Sequence, residues 1–279
     1  MSEITIDTVQ GIGDLIWVYR KLSSVFDRIN LNILAIDNSA IQKRAEQFAK
    51  SLTKIGDVKY KIVSSEHYSR VARGMYAMPE KDGEYSVNAW LEKGIHLDAI
   101  DSSPVSWDIG LKLSPVQINR QYLLLYVSGC AHNLGYYQMK SEEWAEIAVA
   151  ACKIMTVDTC ILIGAAFDKT KLDEVRSAIG ARLRTYVHTD YNIAETSYLI
   201  KQAKYFVAYQ SGLCMIAEEL STPMLMVWFP YLAPMTSAWV RRECLASGLV
   251  SHTFFGMPIN NIIDVIKRHK DVLEKKAIR

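Results

Sequence analysis

Apolar residues in this 279-residue chain recur with two periods that alternate along its length. "EITIDTV" (3–9) alternates apolar and polar positions, as a half-buried strand does. "DLIWVYRKLSSVF" (14–26) then sets Leu15, Ile16, Val18, Tyr19 and Leu22 on one helical stripe. Strand, helix and strand follow as "LNILAID" (31–37), "SAIQKRAEQFAKSLTKI" (39–55, with Ser39 as N-cap) and "VKYKIVSS" (58–65). A β-α-β-α-β opening of this kind predicts a parallel sheet with helices on both faces.

Residues 66–120 break the pattern. They are rich in turn residues and aromatics, and a long irregular stretch in a compact domain tends to carry function, here as an acceptor-side wall. The strand-turn-helix grammar restarts at "RQYLLLYVSGC" (120–130), apolar enough for burial on both faces. It runs on through a helix at 140–155 capped by Ser141, a strand at 158–166, a helix at 169–183 and a short strand at 185–189. A helix at 192–204, a strand at 205–212, a helix at 213–220 and a strand at 223–229 follow, and a basic helix closes the chain. Two starts of one grammar predict two α/β lobes, 1–118 and 119–279, with a cleft between them.

Composition adds exclusions. A net charge of +2 with 22% charged residues marks no strong field for nucleic acid or membrane. Five scattered cysteines (130, 152, 160, 214, 244) in apolar company read as reduced core thiols. No 18 apolar residues run together and the N-terminus lacks an apolar leader, so a cytoplasmic, monomeric protein without membrane insertion is expected. No D-x-D pair occurs, so no essential metal and no cofactor are expected. The histidines show no ligand spacing, and no G-x-S-x-G suggests hydrolysis. Trp90, Trp107, Tyr136, Tyr137 and Trp144 read as packing residues.

Two glycine turns hold the candidate chemistry. In "TVQGIGDLIW", Gly11 and Gly13 supply part of a dinucleotide fingerprint, with Asp37 ending the next strand, but Ile16 stands where the third glycine belongs. Asp14 is then either a helix cap or a catalytic carboxylate. In "AYQSGLCMIAEEL", a buried strand delivers Gln210, Ser211 and Gly212 to a helix start, where unpaired amides and the helix dipole suit a phosphate. The alternative is a plain turn with Ser211 as N-cap. Arg241 and Arg242 are either a solvated helix face or an anion contact.

Taken in order, "GIGDLIW", "ILIGAAFD" and "YFVAYQSGLCMIAEELSTPMLMVWFP" resemble the heptosyltransferase-like glycosyltransferases of family 9, which have the GT-B fold of two Rossmann-like lobes. "SVNAWLEKGIHLDAI" (86–100) is similar to a stretch in their short, phage-type members. The resemblance implies that Asp14 is the base of an inverting, metal-independent transfer. It further implies that Gly13, Ser128, His132, Gly164, Gln210, Ser211, Gly212 and Leu213 contact a nucleotide-sugar donor. Here Gln210 replaces the family's acid, and the turn has no histidine. The phage-type likeness implies duplex DNA carrying 5-hydroxymethylcytosine as acceptor. Lys267, Arg268, Lys270, Lys275, Lys276 and Arg279, with Arg70 and Arg73, would then form the DNA face. A saccharide acceptor, or a lobe pair that binds without turnover, are the alternatives.

Overall fold

The computed structural model describes residues 2–9, 11–35, 39–54, 56–64, 105, 107, 118, 120–127, 139–189, 191–228 and 240–277. The chain forms two compact units, the first built on Met1–Ile109 and the second on Gly110–Ala233 with Val240–Arg279.

In the first unit, β1 (Glu3–Val9), β2 (Arg28–Ala35) and β3 (Val58–Ser64) pair in parallel in the order β1-β2-β3. The alternating pattern is realised on β1, where Ile4, Ile6 and Thr8 are buried while Glu3 and Thr5 are exposed. Between these strands lie α1 (Ile12–Leu22) and α2 (Ser39–Leu52). Every residue of α1 from Gly13 to Leu22 is buried, Arg20 and Lys21 included, and the Lys21 ammonium lies 5.8 Å from the Trp17 ring centre. This helix ends earlier than its sequence stripe suggests, because the Ser24 hydroxyl donates to the Lys21 carbonyl and draws the chain into a turn. Trp107 stacks on Phe48 at 5.4 Å, which makes it a packing residue as expected.

Among the described residues the second unit holds six parallel strands: β4 (Leu123–Tyr126), β5 (Thr159–Ile163), β6 (Arg184–His188), β7 (Tyr205–Tyr209), β8 (Met224–Trp228) and β9 (Val250–Phe254). Their order is β6-β5-β4-β7-β8-β9. This is the doubly wound arrangement, in which the direction of winding reverses between β4 and β7. The four central strands β5, β4, β7 and β8 are buried along their whole lengths, so their sequences are apolar runs rather than alternations.

Among the described residues six helices accompany the sheet: α3 (Ser141–Met155), α4 (Lys169–Ile179), α5 (Ile193–Gln202), α6 (Gly212–Glu219), α7 (Arg242–Ala246) and α8 (Ile259–Ala277). Helix α3 is entered differently from its sequence reading. Lys140 takes the N-cap place, its N–H donates to Glu143 at 2.7 Å, and the Ser141 hydroxyl donates to Glu174. Met139 before the cap and Trp144 in the first turn, both buried, stand where a hydrophobic staple fixes the entry of the chain. Strand β9 escaped the sequence pattern because "VSHTF" is polar at three positions and lies at the sheet edge, with β8 as its partner.

Two histidines seal the β9 side of the core. His269 on α8 is buried; its ring shares hydrogen bonds of 2.7 Å with the Tyr205 hydroxyl and with the Gly248 carbonyl. The carbonyl can only accept, so Nε2 carries the ring proton and Nδ1 accepts from the tyrosine. His252 accepts the Trp228 indole N–H at Nδ1. Burial, then the nearby His269, pushes the His252 pKa down to about 4. Burial lowers that of His269 as well, against the bond to Gly248.

Both rings titrate near the ordinary 6.5 once unfolded, so below that pH the unfolded chain binds protons that the folded chain refuses. Their contribution is complete above about pH 6.5 and is lost progressively as the pH falls toward 4. The urea midpoint should therefore drop across this window. In a His252→Asn variant, where the amide oxygen still accepts from Trp228, the drop should be shallower.

Candidate functional site

The first glycine turn joins β1 to α1. Gly11 is the N-cap, in an extended conformation at φ −67° and ψ 136°, and its carbonyl accepts the Leu15 N–H at 3.0 Å. Asp14 is thus the third residue of the helix and does not occupy the cap position. An acid there is favoured by the positive end of the helix dipole. Its side chain is only 8% exposed and folds back over Gly11, so that a Cβ at residue 11 would collide with the carboxylate. Gly11 is required for this reason: its missing side chain is the space the carboxylate fills. Gly13 is buried in the same first turn.

In an open α/β sheet, ligands bind outside the carboxyl ends of the strands where the winding reverses. Here those ends belong to β4 and β7. Ser128 and His132, which follow β4, lie outside the described residues. After β7, the Gln210 N–H donates to the Val227 carbonyl and prolongs the strand ladder, leaving Gln210 8% exposed.

Ser211 is extended, at φ −164° and ψ 172°, and stands at the N-cap of α6, yet its side chain makes no capping bond. The Cys214 thiol ties the turn instead, donating to the Tyr209 carbonyl at 3.2 Å, while its N–H donates to the Ser211 carbonyl at 3.0 Å. Burial pushes this thiol up to about 12, so it remains a protonated donor. Gly212 opens the helix and Leu213 is buried behind it. The first-turn amides of α6 thus lack the side-chain oxygen that usually covers them.

Gly164 follows β5 and donates its N–H to the His188 carbonyl of β6 at 3.1 Å. A Cβ there would come within 2.9 Å of the Asp168 side chain and 3.0 Å of Leu172. The buried Asp168 carboxylate accepts the Ala165 N–H at 2.7 Å. The sequence reading passed over Asp168, although an Asp four residues past a glycine and directly before "KTKLDEV" is a legible helix-entry signal. At the same end of the sheet His188 stacks on Tyr191 at 4.6 Å and 18°, Phe167 is 46% exposed, and burial lowers the His188 pKa.

The two arginines part company. Arg241 has a side chain only 11% exposed and faces the buried Glu218 and Glu219 of α6, at 4.0 and 3.8 Å. Arg242 is exposed in the first turn of α7. On α8, Lys267 pairs with Asp264 at 2.9 Å and Lys270 with Glu274 at 3.3 Å. The helix surface is thus laced with both signs of charge rather than being a basic stripe. Arg70, Arg73, Asp37 and the 86–100 stretch lie outside the described residues. No helix among those described is long and apolar enough to cross a membrane.

No protein-family model and no curated protein sequence matches the chain. Solved structures do. E. coli ADP-heptose lipopolysaccharide heptosyltransferase II superposes with a TM-score of 0.62 at 12% identity, over 99% of this chain and 100% of that one. A glycosyl transferase of family 9 from Veillonella parvula DSM 2008 gives 0.62 at 10% identity, over 98% and 97%. E. coli heptosyltransferase WaaC with ADP gives 0.56 at 11%, over 96% and 99%. At such identities the likeness is one of fold, and the fold of this chain is GT-B in its heptosyltransferase-like form.

Proposed function

We propose that the protein is a glycosyltransferase that moves a sugar from a nucleotide-sugar donor to an acceptor hydroxyl, with inversion and without an essential metal. The observation that carries this reading is the Asp14 carboxylate, held over Gly11 at a helix entrance in a chain with the GT-B fold. Asp14 takes the proton from the acceptor hydroxyl as its oxygen attacks the anomeric carbon, whose bond to the departing diphosphate breaks. The diphosphate gathers negative charge, and the amides at Ser211, Gly212 and Leu213 stabilise it, with the Gln210 side chain as a further contact. Ser128, His132 and Gly13 add polar contacts to the donor, and Arg242 is a candidate anion contact. The nucleobase lies against Gly164, with the stacked His188 and Tyr191 beside it.

Two acceptors deserve testing. The likeness to phage-type chains favours 5-hydroxymethylcytosine in duplex DNA. The mixed charge of α8, where Lys267 pairs with Asp264 and Lys270 with Glu274, favours a saccharide, because a DNA face depends on lysines and arginines free to replace counterions. Labelled sugar supplied with both acceptors separates them. We expect transfer to the saccharide to dominate, and transfer to hydroxymethylated DNA alone would reverse that preference.

The donor should emerge from a thermal-shift screen of UDP-, ADP-, GDP- and CMP-sugars, since a ligand at 100 times its Kd stabilises by about 2.7 kcal/mol. With that donor, Asp14→Asn should lower turnover by roughly 10²- to 10⁴-fold while leaving donor affinity intact. Normal turnover in this variant would make Asp14 a helix-entry residue and move the base elsewhere, whereas a wild type that binds a donor and turns over none would be a binding protein. Gly11→Ala should behave as a milder copy of Asp14→Asn, because the new methyl group displaces the carboxylate; turnover falls although Asp14 is still present.

A further inference from the structure

Tyr209 is the last residue of β7, one position before the turn assigned to the diphosphate. It is held at three points. Its phenol oxygen accepts the Met139 N–H at 2.8 Å, which fixes it to the residue that leads into α3. Its ring meets the Trp144 ring edge-on, at 4.8 Å and 89°, in the first turn of the same helix. Its carbonyl accepts the Cys214 thiol from the first turn of α6. The side chain is fully buried, and burial pushes the phenol up to about 12, so it is uncharged at neutral pH.

These attachments join the parts that flank the reversal of the sheet. Met139 and Trp144 belong to the connection that leaves β4, and Cys214 to the helix that leaves β7. Gln210, Ser211 and Gly212 are therefore suspended between two fixed residues, Tyr209 and Cys214. Packing alone would hold a phenylalanine at position 209 equally well. The hydroxyl adds one directional bond, aimed across the reversal at a backbone donor. An amide cluster that is to meet a diphosphate without rearranging needs such a restraint, since small displacements of oriented donors weaken anion binding steeply.

We propose that Tyr209 is a positioning residue for the donor anchor, setting the amides of Ser211–Leu213 in register through its bond to Met139. The inference rests on the reading of that turn as the diphosphate site. It requires no contact between Tyr209 and the donor.

The test pairs two chemically identical changes on one strand. Tyr209→Phe removes the hydroxyl beside the turn. Tyr205→Phe removes an equally buried hydroxyl, the one bonded to His269, about 13 Å away at the other end of β7. UDP, ADP, GDP and CDP are titrated calorimetrically into the wild type, and the tightest binder is carried into both variants. Tyr209→Phe should raise its Kd roughly 3- to 10-fold, and Tyr205→Phe should leave it unchanged although both variants lose thermal stability. Amide hydrogen exchange without ligand supplies a second reading. Residues 212–214 should exchange faster in Tyr209→Phe relative to the Tyr205→Phe control.

Equal affinities in the two variants, with equal exchange at 212–214, would overturn the positioning role. A wild type that binds none of the four diphosphates would instead remove the donor anchor itself, and the inference with it.

Discussion

The reversal of strand order between β4 and β7 is the constraint from which the rest of the second unit follows. Helices connecting strands on one side of that point lie on one face of the sheet, and those connecting strands on the other side lie opposite. The backbone leaving β4 and the backbone leaving β7 consequently diverge. A parallel sheet buried on both faces has to be apolar through its centre, which is why four consecutive core strands carry almost no polar side chain. Polar chemistry is expelled to the strand ends, where polar residues such as Asp168, Asn192 and Ser211 begin the helices.

Much of this was legible beforehand, and the reason is periodicity. Strands β1 to β8 announce themselves as alternations or short apolar runs, and the helices between them as stripes, so the doubly wound architecture needed little beyond counting. What escaped was decided by tertiary partners. Strand β9 has a polar sequence and exists because β8 offers it an edge to pair with. Helix α7 is a five-residue turn next to a buried arginine, and no hydrophobic stripe marks it. The entry of α3 hinges on Glu143 reaching back to Lys140, so the serine that looked like its cap bonds to Glu174 of α4.

The two glycine turns were legible as strand-to-helix turns, but what holds each of them was not. Gly11 reads from sequence as part of a dinucleotide-type turn and Gly164, by resemblance, as a donor contact; each accommodates a carboxylate of its own chain, Asp14 in one unit and Asp168 in the other. Ser211 stood out as a capping residue and sits at the cap without capping, while the less conspicuous Cys214 closes the turn. A thiol in this role could not be anticipated, because its bond depends on burial that sequence spacing does not reveal. Charge was the least informative signal, since the lysines of α8 read as a basic face until their acidic neighbours are placed beside them.

The interlock of Gly11 with Asp14 bears on how such chains diverge. Neither residue can change alone without harm: a larger residue at 11 strikes the acid, and a smaller residue at 14 vacates a buried niche at the helix start. Drift is thereby channelled into joint replacement, which is rare. A descendant stripped of catalytic use would still have a steric reason to keep both residues, so the Gly11–Asp14 pair is tied together by packing as well as by chemistry.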